Sequence, residues 1–332
     1  MQQLTTRDLW KIFSGAVYEW SEDKVPRMAA ALAFYTLFSL TPIVIISMAI
    51  GDVFFDREQA LKEILRQVEF LIGQKGREAV ELLVENAPKL EDASTLATVA
   101  GLATMLFAAT GAFAELKDSL NSIWEVRPKP GLGIIEMIRD RFLSFAMVLV
   151  IGFFLLVSLV SSTVLEIVSR MVADQMNGWA FVMQAVNFTI SFTVITVMFA
   201  LIYKVLPDAK VAWKDVWLGA GLTSVLFSLG KTAFGIYLGH STIGSSYGAA
   251  GSLIIVVLWT YYSSLILLFG AELSQVQATL RGAALVPTEK AIHVTEHERV
   301  QQGMPHQVEV EESLTDDLNA KLCEGCDEPD KA

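Results

Sequence analysis

The sequence predicts an all-α fold, a polytopic membrane protein built as a six-helix transmembrane bundle with amphipathic helices in the first outer loop. Three observations carry that expectation. Hydrophobic residues fill 53% of the 332 positions and charged residues only 18%, against about 25% charged in soluble domains, and the mean hydropathy is +0.48. From Leu253 to Ala271 there are 19 residues without a charge, enough at ~1.5 Å each to cross roughly 30 Å of hydrocarbon. Small residues also recur four apart in this segment, Gly248 with Ser252 and Gly270 with Ser274, the spacing that lets helix backbones approach closely. The last span, about 249–273, is therefore expected at the centre of the bundle.

Residues 1–27 hold four basic residues, Arg7, Lys11, Lys24 and Arg27, with Trp10, Phe13, Val17 and Trp20 on one helical face. That pattern predicts an amphipathic helix on the cytoplasmic membrane surface. The apolar stretch that follows is too long for the core of a cleavable signal. Span one is expected at about 28–50 and is interrupted by Pro42. A proline removes one backbone bond and crowds the carbonyl four residues back, so a kink is expected over 38–42, with Ser39 or Thr41 satisfying the freed group. Such a kink serves packing or acts as a hinge beside a pathway.

Residues 52–92 break the membrane pattern with ten acidic and six basic residues. Leu61, Ile64, Leu65 and Val68, then Val80, Leu83, Val84 and Ala87, fall at three-and-four spacing, with Gly73 and Gly76 between the runs and Pro88 after them. Two short amphipathic helices are expected here. Span two is expected at about 93–114, continuing as a helix that leaves the bilayer until Pro128 and Pro130. Spans three, four and five follow at about 142–165, 179–203 and 216–238. Beyond residue 281 the apolar pattern stops, and from Pro287 onward twelve acidic residues face four basic ones. This composition predicts a disordered cytoplasmic tail over 281–332.

Basic residues set the orientation. The N-terminal segment and the connections after spans two and four carry 4, 5 and 3 of them, the short loops after spans three and five 1 and 0. Both termini are thus expected in the cytoplasm. The long first loop, with 6, counts little because long segments translocate with little regard to charge.

Charges within spans are the informative positions, since each costs roughly 2.5–3.5 kcal/mol at a helix centre. Lys231 lies in the outer half of span five, where it can snorkel, pair with Glu166 at the end of span three, or hold an anionic headgroup or substrate. Glu115 and Glu272 fall near the inner ends of their spans, within reach of Arg27, Lys117 or Arg141. Ala220, Ser224 and Ser228 form a small polar stripe, and the loop 239–248 brings glycine, hydroxyls and Tyr247 to the outer mouth. Its backbone donors suit an anion, yet it lacks a phosphate-loop pattern and reads as a tight, re-entrant or capping turn, His240 included. The candidate pathway residues are Lys231, Glu272, Glu115, Pro42, Ser224, Ser228 and Tyr247. Cys323 and Cys326 form a CxxC in the tail, with His293, His297 and His306 nearby. These spacings match no zinc finger, so reduced thiols are expected and no metal or other cofactor.

Two stretches carry a family likeness: DKVPRMAAALAFYTLFSLTP from Asp23 to Pro42, and YGAAGSLI from Tyr247, continued by WTYYSS from Trp259 and FGAEL from Phe269. TGAFAELKDSLNSIW from Thr110 and LGKTAFGIYLG from Leu229 fit the same pattern. Over about residues 5–280 the chain resembles the YihY/BrkB family of bacterial inner-membrane proteins. The resemblance implies a multi-pass inner-membrane protein, and because the sequence shows no nucleophile–base pair or metal cluster within the bundle, an intramembrane enzyme is not expected. It also implies movement of an anionic envelope lipid or similar amphipathic molecule, as a transporter or flippase-like protein. Without a nucleotide-binding loop, the energy for that is expected from a gradient or a partner. A non-transporting scaffold for envelope-assembly proteins is the other reading. An old ribonuclease BN label travels with the family, but the acidic tail has the wrong sign for a phosphate backbone, so membrane lipids and not nucleic acids are the expected partners.

Overall fold

The structure is a computed structural model that describes residues 6–51, 61–62, 64–66, 68–69, 73–85, 104, 107, 110–130, 179–240, 249–283, 286–295, 298–300 and 304. Over these residues the chain forms helices α1 (Thr6–Glu22), α2 (Val25–Gly51), α3 (Gln74–Glu85) and α4 (Gly111–Ile123), then strand β1 (Val126–Pro128). Helices α5 (Trp179–Val205), α6 (Trp213–His240) and α7 (Ala249–Leu280) follow, and strand β2 (Ala291–His293) closes the order. Among the described residues three stretches are long and apolar enough to cross a membrane: Val25–Ile45, Phe188–Val205 and Leu253–Leu280. The expected spans at 93–114 and 142–165 lie outside the described residues, apart from 104, 107 and 110–114.

Helix α7 packs against each of the other described helices. Its contact with α6 is close because both helices present glycine at the crossing. A Cβ added to Gly219 would overlap Ser274 Oγ and the Gly270 carbonyl oxygen, and one added to Gly270 would overlap Thr223 Oγ1 and Tyr203 Oη. Gly270 and Ser274 thus do mark a helix contact, and α6 supplies its other half. The hydroxyls at this level are satisfied internally: Tyr203 Oη donates to the Leu267 carbonyl at 2.7 Å and lies 2.8 Å from Thr223 Oγ1. With so little water in hydrocarbon, such bonds carry polar side chains into a span.

Helix α1 turns Ile12 and Ala16 inward against Leu273 and Val276 of α7, while Trp10, Phe13 and Val17 of the apolar face noted in the sequence remain exposed. Burying Ile12 is worth about 1.5–3 kcal/mol. One ring of that outer face, Phe13, also meets Phe269 edge-on at 5.8 Å between centroids. Helix α2 runs unbroken through Pro42, which is buried. Ser39 does not take the carbonyl that the proline leaves free. Its hydroxyl donates to the Tyr35 carbonyl at 2.7 Å and accepts the Ala112 amide of α4 at 3.4 Å. That second bond stands where a side-chain cap would, since Thr110 ahead of α4 makes none and turns its hydroxyl to the Phe107 carbonyl.

Between α2 and α4, Gly73 adopts φ 84°, a conformation that glycine reaches without strain. Helix α3 begins directly after it, so Gly76 lies inside the helix and does not separate two runs. Val80 of α3 packs with Val44 of α2 and with Leu65.

Two features differ from an all-helical bundle with a disordered tail. Strands β1 and β2 form an antiparallel pair, with Val126 opposite His293, Arg127 opposite Ile292 and Pro128 opposite Ala291. Glu125, at φ 51°, turns the chain out of α4 and into this strand. The segment after α7 is also folded over the residues described: the Lys210 amide donates to Val286 and the Thr288 amide to Asp208. Ala291, Arg299 and Met304 are buried. The acidic composition of 281–332 concealed this because its apolar and basic anchors are few and widely spaced. Together with α1, the α1–α2 turn and the α5–α6 turn, this segment forms one end of the structure, called here the sheet end.

Candidate functional site

Buried polar groups concentrate at the sheet end. Asp23, in the turn between α1 and α2, is 3% exposed and accepts from Arg299 Nη2 at 2.7 Å, with Arg299 itself 4% exposed. Glu125 lies 4.0 Å from the other guanidinium nitrogen, and Arg127 pairs with Glu298 beside it. An isolated charge buried here would be costly, whereas a hydrogen-bonded pair is tolerated. The pair ties the segment after α7 to the start of α2, residues far apart in the chain.

A second junction joins α4 to the α5–α6 turn. Asn121 Nδ2 donates to Asp208 Oδ2 at 3.0 Å and Asn121 Oδ1 accepts the Asp208 amide at 2.7 Å. Lys117 Nζ stands 3.0 Å from the same carboxylate. At the start of α6, Asp215 is 1% exposed and meets Arg281 Nη1 at 2.9 Å. A carboxylate in the first turn also offsets the positive end of the helix dipole. A cavity of about 40 Å³ lies between these parts, lined by Trp124, Ala209, Lys210, Val211, Asp215 and Ala278 among others.

Glu272 stands apart from these pairs. It is 1% exposed, and neither carboxylate oxygen has a hydrogen-bond partner among the described residues. The charges near enough to act on it are Asp23, Glu19, Arg299 and Glu125. Of the partners anticipated for the two inner glutamates, Lys117 goes to Asp208, Arg27 is exposed and Arg141 lies outside the described residues. Glu115 is half-buried on α4. Burial raises its carboxyl above the usual range, and the nearby Asp118 raises it further.

Lys231 sits half-buried on α6, beside Gly230, whose Cα is covered by the Tyr262 ring of α7. It does not meet Glu272. Gly219 marks the level of Glu272 on α6, and the twelve residues from there to Lys231 span ~18 Å along the axis. Ser224 and Ser228 donate to the carbonyls of Ala220 and Ser224, each at 2.8 Å. Their donors are spent on their own helix, so that stripe presents packing surface. Pro42 lies inside α2, on a different helix from either charge. Tyr247, Glu166, His297, His306 and the two cysteines lie outside the described residues, and His293 is exposed on β2. Among the described residues no cluster suited to a metal ion occurs.

Sequence reasoning missed Asp23, Asn121, Asp208 and Arg299. Asp208 follows Leu206-Pro207 at the end of α5, where a carboxylate in a tight turn was a usable sign. Arg299 had none, since it stands among acidic residues that read as solvated.

A sequence profile of the family described as Virulence factor BrkB matches residues 16–291. Similar proteins include a UPF0761 membrane protein of Ralstonia nicotianae, 29% identical over 266 residues, 78% of this chain and 57% of that protein. A UPF0761 membrane protein of Tolumonas auensis is 29% identical over 288 residues, 78% of this chain and 85% of its own length. Another, of Halorhodospira halophila, is 30% identical over 275 residues, 79% of this chain and 55% of its length. The chain thus spans little more than half the length of several relatives it matches. No solved structure matches it significantly.

Proposed function

The chain belongs to the BrkB family of membrane proteins, and from that premise we propose that it moves an anionic amphipathic lipid of the bacterial envelope across the inner membrane. In this reading the chain crosses six times with both termini cytoplasmic, so the sheet end faces the cytoplasm. It acts as a carrier and not as an enzyme.

The observation that carries the reading is Lys231. A lysine half-buried within a long helix, next to a glycine that admits an aromatic ring from α7, is a costly feature in a span. Intramembrane charges of this kind mark pathways and binding sites. An ammonium at that depth complements a phosphate or carboxylate headgroup while the acyl chains stay in lipid.

The test is leaflet-to-leaflet movement of labelled anionic lipids in vesicles holding the purified protein, with and without an imposed proton gradient. Protein-dependent movement that Lys231→Leu abolishes, with folded yield retained, is the expected result. Unchanged movement in the variant removes Lys231 from the pathway. Absence of movement for every envelope lipid tried overturns transport and leaves the scaffold reading.

A further inference from the structure

We propose that Glu272 is a proton-binding site at the sheet end. The geometry carries this step. Glu272 lies on the helix that touches every other described helix, at 1% exposure, with both oxygens lacking a hydrogen-bond partner among the described residues. An ionised carboxylate in that position would carry the full cost of desolvation, whereas a carboxylic acid carries only the cost of a polar group.

The surrounding charges do not offset this. Glu19 of α1, Asp23 of the α1–α2 turn and Glu125 after α4 are all acidic, and among the described residues the one cation acting on Glu272 is Arg299. That guanidinium already binds Asp23 at 2.7 Å and approaches Glu125 at 4.0 Å. Other described charges at the sheet end are taken up elsewhere. Asp215 of α6 is held by Arg281 of α7, Lys204 of α5 donates to the Val211 carbonyl, Lys117 of α4 is on Asp208, and Arg27 of α2 is exposed. A metal ion would need more ligands than one side chain, and the described residues hold no suitable cluster.

Where the transport reading holds, this proton is the natural coupling ion, but the site is tested without transport. Purified protein is treated with dicyclohexylcarbodiimide, which adds to protonated carboxyls in apolar surroundings, and the modified peptides are mapped by mass spectrometry. Adduct at Glu272 is expected to dominate at acid and neutral pH and to fall at least ten-fold as the pH is raised, because only the protonated acid reacts. Glu19→Gln, which removes one neighbouring negative charge and leaves the Asp23–Arg299 pair intact, should move the midpoint to lower pH.

Infrared spectra supply a second readout that needs no reagent access, as the protonated-carboxyl band should be lost in Glu272→Gln. No adduct together with no such band overturns the proposal. So does labelling that ignores pH, and so does labelling suppressed by sodium at fixed pH, which would assign a bound cation in place of the proton. Failure here leaves lipid movement standing, and failure of lipid movement leaves the proton site standing.

Discussion

Replacing Gly270 with alanine tests whether the α5–α6–α7 crossing holds the fold together. The added methyl would overlap Thr223 Oγ1 and Tyr203 Oη and lie 3.2 Å from the Gly219 carbonyl oxygen. Two of these atoms belong to side chains already bonded to each other and to Leu267. Making room displaces that network, at about 0.6 kcal/mol per membrane hydrogen bond, and overpacks the interface, at about 1–3 kcal/mol. Alanine returns up to ~1 kcal/mol through better helix propensity. The net expectation is a loss of about 1–3 kcal/mol. Gly221→Ala is the matched control, because a Cβ there meets nothing within 4 Å, and it should gain up to ~1 kcal/mol. Equilibrium unfolding in mixed micelles measures both. A cycle with Thr223→Ala, which removes the worst overlap, should recover part of the loss in a non-additive way. Gly270→Ala as stable as the parent would refute the reasoning, since the crossing would then have slack the geometry does not show.

Arg299→Ala should leave Asp23 buried without its guanidinium partner at a cost of about 3–5 kcal/mol, seen as a lower melting temperature and faster proteolytic release of the segment after residue 283. Asn121→Ala removes both bonds to Asp208 and should cost about 1–3 kcal/mol in the same melting assay, without effect on that release. Ser39→Ala strips the Ala112 amide of its acceptor and should cost about 1–2 kcal/mol, localised by faster amide exchange at the start of α4. For Glu115, burial favours the neutral acid in the folded chain. Its contribution is therefore full below the ordinary carboxyl value of 4.5 and declines as pH rises past it. Glu115→Gln should flatten that acidic-to-neutral decline in a pH series of melting curves, and an unchanged slope would assign the decline to other groups.

What the sequence displays and what it hides follow from range. The uncharged run in α7 and the Gly270–Ser274 spacing are local patterns, and each has one physical reading: hydrocarbon on the outside and a close helix neighbour within. The partner of that contact is less legible. Gly219 belongs to the same small-residue helix as Ser224 and Ser228, and composition does not tell which of them faces α7. The structure places Gly219 there and turns the two serine donors back onto α6. Local reasoning fails most at the sheet end, where Asp23 meets Arg299 across 276 positions of chain.

No periodicity encodes such a pair, and an arginine among acidic residues reads as solvated until the strand β1 that receives its segment is known. Glu272 lies between these cases. Its cost in a span was visible from its position, but its meaning depended on what surrounds it. Had Lys117 or Arg27 been its partner, Glu272 would be a structural ion pair. Lys117 is bound to Asp208 and Arg27 points outward, so among the described residues the carboxyl has three acidic neighbours and one cation, Arg299, that is itself held by Asp23. That arrangement turns an ordinary helix-end glutamate into a group whose protonation the fold itself controls.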